Sequence, residues 1–143
     1  MTNGSGIPPL SAGEKLARFI TVERWVRADQ TLRQDAFIPP KDLNFSVTRH
    51  LNSSEGQLWK IGQKVADAIA AKRNASLYGR ADITVGRVLG LHLKTTAAPL
   101  HENPGHAQIT GWPPDKPAQK SIAQQLAAIA RYIPLPIVGH SDG

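Results

Sequence analysis

An α+β fold is predicted by three observations: a single compact domain with a small sheet of three to four strands covered on one face by two to three helices. Residues 54–69 and 115–133 carry apolar side chains at helical spacing. Residues 45–50, 89–94 and 106–111 alternate apolar and polar side chains, the period of a half-buried strand. Proline- and glycine-bearing turns such as "IPPKD" and "GWPPDKP" separate these stretches. A chain of 143 residues has the length of one domain and can bury a core without covalent staples, and cysteine is absent, so disulfides and thiolate chemistry are excluded.

Taken in order, residues 1–10 read as a flexible tail of Gly, Ser and Pro. The domain proper is expected over residues 11–133. Its first segment starts at Ser11, with Glu14 in capping-box spacing, and places Leu16, Phe19 and Ile20 at helical intervals, which predicts a helix. The continuation "ITVERWV" also alternates, so residues 19–27 are open to either a helix or a first strand. "NFSVTRH" predicts a strand with Phe45 and Val47 on one side and Ser46, Thr48 and His50 on the other. Ser54 and Gln57 form a capping box ahead of a helix whose apolar stripe is Leu58, Ile61, Val65, Ala68 and Ile69.

"VLGLHLKTT" alternates Leu89, Leu91 and Leu93 against Gly90, His92 and Lys94 and predicts a second strand. Ala107 and Ile109 alternate with His106, Gln108 and Thr110, a third strand that "GWPPDKP" ends because proline has no N–H for a ladder. Asp115 caps a last helix with Ile122, Leu126, Ile129 and Ile133 facing the core. Residues 134–143 read as a second flexible tail.

No basic start followed by an apolar core opens the chain, and no run of eighteen apolar residues occurs, which predicts a cytoplasmic location away from membranes. The net charge is +6. The excess sits in residues 60–94, which hold Lys60, Lys64, Lys72, Arg73, Arg80, Arg87 and Lys94 against Asp67 and Asp82. A concentrated basic surface attracts polyanions, so the first functional expectation is a soluble interaction module that binds a macromolecular partner, protein or nucleic acid. Its binding residues are Arg49, Lys60, Lys64, Lys72, Arg73 and Arg80, with Trp112 as a surface anchor. The same basic face also fits a surface that only keeps the protein in solution.

The alternative is a small enzyme acting on a nucleotide or RNA phosphodiester. His50 and His106 lie on the polar faces of two predicted strands; if those strands are neighbours, the imidazoles could act as acid and base beside Arg49 or Arg80 on phosphate. "HENPGH" spaces its histidines five apart around Pro104 and Gly105, which breaks the helix that a zinc-protease motif needs. His101, Glu102 and His106 make a weak loop cluster. No metal or cofactor is expected, and "GRADITVG" lacks the lysine of a phosphate-binding loop.

Together "FSVTRH", "LYGRADI" and "NPGHAQITGWP", followed by an alanine-rich amphipathic helix, resemble a pattern in small bacterial proteins of no assigned activity, over residues 37–131. That resemblance implies a bacterial single-domain protein and carries over no catalytic residue. Arg24 or Arg27 followed by "FIPPKDLNFSVT" also looks like the start of an ADP-ribosyltransferase-type fold. The late glutamate of such enzymes has no clear counterpart in this sequence.

Overall fold

Leu16, Ala17, Phe19 and Ile20 are all buried, and they divide between two clusters. Leu16 and Ile20 join one and Ala17 and Phe19 the other, which is the behaviour of a strand covered on both faces. The expected first helix is therefore a strand, β1 (Lys15–Ile20). Its apolar residues fit helical spacing only because both faces of the strand are apolar. Ser11 and Glu14 form a turn, with the Glu14 N–H donating to the Ser11 carbonyl at 3.1 Å.

The structure is a computed structural model and describes residues 8–136. Of the expected tails, residues 1–7 and 137–143 lie outside the described residues; Pro8–Leu10 and Pro134 belong to the fold. Among the described residues the sheet has six strands rather than three or four: β1, β2 (Phe45–Arg49), β3 (Gly79–Thr84), β4 (Lys94–Ala97), β5 (His106–Thr110) and β6 (Arg131–Pro134). The spatial order is β4-β5-β2-β1-β3-β6, with every neighbouring pair antiparallel. β3 and β6 were not expected as strands. "GRADIT" does alternate Ala81 and Ile83 with Arg80, Asp82 and Thr84, but two apolar side chains are a faint strand signal, and β6 is only four residues long.

Helices lie on both faces, not on one. α1 (Glu55–Ala70) starts with the expected capping box, in which Ser54 Oγ accepts from the Gln57 N–H at 3.2 Å and the Ser54 N–H donates to Gln57 Oε1 at 2.8 Å. It packs Ala66 against Ala17 and Phe19. Gly62 permits that approach, because a Cβ there would meet the Phe19 ring at 2.7 Å. α3 (Lys116–Ile129), capped by the Asp115 side chain on the Ala118 N–H, covers the opposite face with Ala123 and Leu126. Ile133 lies beyond this helix, on β6.

The segment expected as the second strand, residues 89–94, begins in the last residues of a helix, α2 (Val85–Gly90), whose cap is Thr84. Val85 and Val88, three apart, are buried, while Leu89 is 53% exposed. His92 at φ +63° follows the helix end, and the strand begins only at Lys94. The alternation of leucines spans the end of a helix and the turn after it.

These placements give a direct stability contrast. Leu126→Ala should lower unfolding free energy by about 2–5 kcal/mol, as expected for a fully buried leucine. Leu89→Ala, on the exposed side of α2, should change it by less than about 0.5 kcal/mol. Urea denaturation measures both, and a large loss at Leu89 would restore the strand.

Candidate functional site

Antiparallel pairing between β1 and β2 covers only Leu16 with Arg49 and Ala17 with Thr48. The next pairs in that register, up to Phe19 with Ser46, are not formed. Each strand is held on its other side, β1 by six pairs to β3 and β2 by four pairs to β5. The two central strands therefore part into a wedge. Arg18 occupies it, with its guanidinium carbon 4.3 Å from the centre of the Phe45 ring and 5.3 Å from that of Trp25. Arg18 Nε donates to the Ala36 carbonyl at 2.9 Å, and its terminal amino groups have no carboxylate partner among the described residues. Removal from water, with the Arg73 charge nearby, pushes this guanidinium down to about 10, so it stays charged at neutral pH.

A cleft of about 920 Å³ opens over the wedge. This volume is in the range of small-molecule sites. Its first wall is α1. The expected core stripe of that helix is displaced, because Leu58, Gly62 and Ala66 make the buried contact, while half-buried Ile61, Val65 and Ile69 and exposed Ala68 line the cleft with Lys64 and Arg73. The facing wall is the turn at residues 100–103, where Leu100 and Asn103 exchange backbone hydrogen bonds of 3.1 Å. Asn103 Nδ2 donates to Thr48 Oγ1 at 2.9 Å, which ties the turn to β2. Asn103 is 6% exposed, and its Oδ1 is buried with no hydrogen-bond partner. His106, Ser46 and Asp35 also line the cleft.

The second charged cluster is internally paired. Arg80 donates through both terminal nitrogens to Glu55 at 2.9 Å and through Nε to Asp82, and it stacks on Trp59 with its guanidinium carbon 4.9 Å from the ring centre. His50 Nε2 lies 2.8 Å from Asp82 Oδ1. Burial pulls the Asp82 carboxyl up, but its hydrogen bonds with His50 and Arg80 outweigh this and hold it below the usual aspartate range. The hydrogen bonds from Arg80 likewise hold Glu55 low. Burial works against the Arg80 cation, yet bonds to Glu55 and Asp82 raise it above its ordinary value. This network fastens the first turn of α1 to β3.

The residues singled out in the sequence are thus dispersed. His50 belongs to the Asp82 network. His106, on β5, bridges the strands on either side, with Nδ1 2.8 Å from the Ala98 carbonyl just past β4 and Nε2 3.2 Å from Ser46 Oγ on β2. The two histidines share no partner, and only His106 lines the cleft. Arg49 is 1% exposed and is bound to Glu14 and the Pro8 carbonyl, so it is a structural cation rather than a phosphate ligand. Arg80 is corrected in the same way. Trp112 is no surface anchor: it is buried beside Phe45, ring centroids 5.8 Å apart, and donates to the Ile109 carbonyl. Lys60, Lys64, Lys72 and Arg73 are exposed, as are Arg87 and Lys94.

Arg18 was missed, although a lone cation between Leu16 and Ile20 on a buried strand face is a readable signal once the segment is taken as a strand. Among the described residues no group of His, Asp or Glu could hold a metal ion, and no helix is long and apolar enough to cross a membrane. No family model, curated protein or solved structure matches the chain.

A pH titration checks the Asp82 network. Because the folded-state values of Asp82 and Glu55 are depressed, their stabilisation is present above the ordinary carboxylate range and is lost as pH falls through the folded values. The urea midpoint of the wild type should fall on acidification below about pH 4. Asp82→Asn should start lower at neutral pH and fall less; an unchanged acid profile contradicts the network.

Proposed function

We propose that this chain is a non-catalytic binding domain that receives an anionic partner in the cleft between α1 and the parted strands. The observation that carries this reading is Arg18. Buried Arg49 and Arg80 spend their hydrogen bonds on Glu14, Glu55 and Asp82, whereas the Arg18 terminal amino groups have no such partner among the described residues, and Arg18 is one of the residues that line the cleft. A guanidinium held over two aromatic rings is preorganised, so an anion meets it with little further loss of side-chain freedom. Lys64 on α1 and Arg73 in the turn after it add positive charge to the lining of the cleft.

The experiment uses an apolar anionic dye, 1-anilinonaphthalene-8-sulfonate, followed by its fluorescence on the native protein. Arg18→Met should weaken binding about tenfold or more. Arg18→Lys, which keeps the charge but not the fork, should bind between the two. Equal binding by all three proteins at equal urea midpoints overturns the reading.

A macromolecular form of the same reading is favoured by the exposed cations of α1 and the turn after it, Lys60, Lys64, Lys72 and Arg73, two of which line the cleft. Single-stranded nucleic acid is the partner class that fits it. Affinity for an oligonucleotide should then fall steeply with salt, and the Lys60→Glu, Lys64→Glu, Lys72→Glu triple variant should weaken it without moving the urea midpoint. Binding indifferent to salt and to this variant contradicts the nucleic-acid form.

A further inference from the structure

Going beyond the binding reading, we propose that Ser46 is a reactive serine, activated by His106, that takes an acyl group from an activated ester with an apolar acyl chain. β2 and β5 pair with Ser46 opposite Gln108 and Thr48 opposite His106, so Ser46 and His106 are diagonal neighbours on one face of the sheet. Thr48 pairs in turn with Ala17, which packs against Ala66 of α1. The hydroxyl, the imidazole and the α1 wall of the cleft therefore share one side of the sheet. Ser46 is exposed there, and both residues line the cleft.

Hydrogen bonds assign the roles. The Ala98 carbonyl can only accept, so His106 Nδ1, 2.8 Å away, carries a proton. Ala98 also donates its N–H to the His106 carbonyl at 2.9 Å, so backbone and ring are tied to the same residue. In the neutral imidazole Nε2 is then the acceptor, and its partner at 3.2 Å is Ser46 Oγ. Nucleophile, base and orienting acceptor thus follow one another, with a backbone carbonyl in the place that a carboxylate takes in a serine triad.

Two further features suit an acyl group. The His50 N–H donates to the Lys15 carbonyl, and Ser46, four residues earlier on the same edge of β2, directs its own N–H into the wedge, where no ladder pair joins it to β1. The Phe19 N–H enters the wedge from the β1 side. Backbone donors beside the nucleophile are what a carbonyl oxygen needs as it gains charge on attack. Ile61, Val65 and Ala68 of α1, and Leu100 at 54% exposure, line the same cleft and offer apolar cover for the acyl chain.

In the step, Ser46 Oγ bonds to the acyl carbon while Nε2 takes the hydroxyl proton. The bond from that carbon to the ester oxygen breaks, and the alcohol leaves with the proton from Nε2. The chain keeps the acyl group as an ester on Ser46, so the protein is the acceptor in this step.

The test is labelling by para-nitrophenyl butyrate, read by intact-protein mass spectrometry and peptide mapping. Wild-type protein should gain one butyryl group, on Ser46 and not on the exposed Ser121 of α3, and Ser46→Ala should lose it. His106→Ala should slow labelling about a hundredfold or more, and added imidazole should restore part of the rate. His106→Gln, which can still donate to Ala98 but cannot take the proton, should be as slow. The acetate ester should label several-fold more slowly than the butyrate, despite its less hindered carbonyl. No label on Ser46, label spread over exposed serines and lysines, or one rate in the wild type and both His106 variants overturns the proposal.

Discussion

The rest of the molecule depends on where the β1–β2 ladder stops. Two pairs join the strands, and beyond Ala17 and Thr48 each follows its outer neighbour instead. Closing the gap would require breaking the longer ladder to β3 or shifting β2 off β5, so the wedge is fixed by pairing on either side. Arg18 fills it with a side chain long enough to reach from β1 over Phe45. The apolar stem suits the core on that side, and the charged end rests against the Phe45 and Trp25 rings and the Ala36 carbonyl. α1 is brought close to β1 at Gly62, so its neighbouring apolar stripe overhangs the wedge and not the middle of a closed sheet.

Buried charge separates scaffold from candidate site. Arg49 and Arg80 are as deeply buried as any side chain in the domain, and each is matched by carboxylates: Glu14 for the first, Glu55 and Asp82 for the second. Such pairs are costly to break, because the surviving partner is left charged and dry. They lock the chain before β1 to β2 and the start of α1 to β3. Arg18 has no comparable match among the described residues and instead leans on two rings and one carbonyl. A basic residue kept in that state contributes little to cohesion, which is why it is the residue to test for binding.

The two short strands β2 and β5 were legible because apolar and polar residues alternate along them, and the helices α1 and α3 because each carries an apolar stripe and because Ser54 with Gln57, and Asp115, mark the helix starts. β1 was obscured by burial on both sides, where alternation disappears, whereas β3 alternates but has only Ala81 and Ile83 as apolar side chains to mark it. "LGLHL" misled because a helix end and the turn after it produced an accidental period of two. The site was legible only as pieces. The apolar stripe of α1 was visible, but its role as a cleft wall depends on Gly62 and Ala66 making the sheet contact in its place. Arg49, Arg80 and Trp112 drew attention by residue type, and burial decided against them. The parting of β1 from β2 is a matter of pairing between segments nearly thirty residues apart, and no local pattern encodes it.

The central claim is that β1 and β2 are unpaired beyond Ala17 and Thr48, and native-state amide hydrogen exchange read by NMR tests it most directly. In the register observed, the Ala17 N–H is bonded across to β2, while the Phe19 N–H, two residues on along the same edge, faces the wedge without that bond. Ala17 should exchange only with global unfolding, and Phe19 should exchange orders of magnitude faster, by local opening. Equal, fully global protection of both amides would mean that the ladder closes and that no cleft exists for Arg18 to serve.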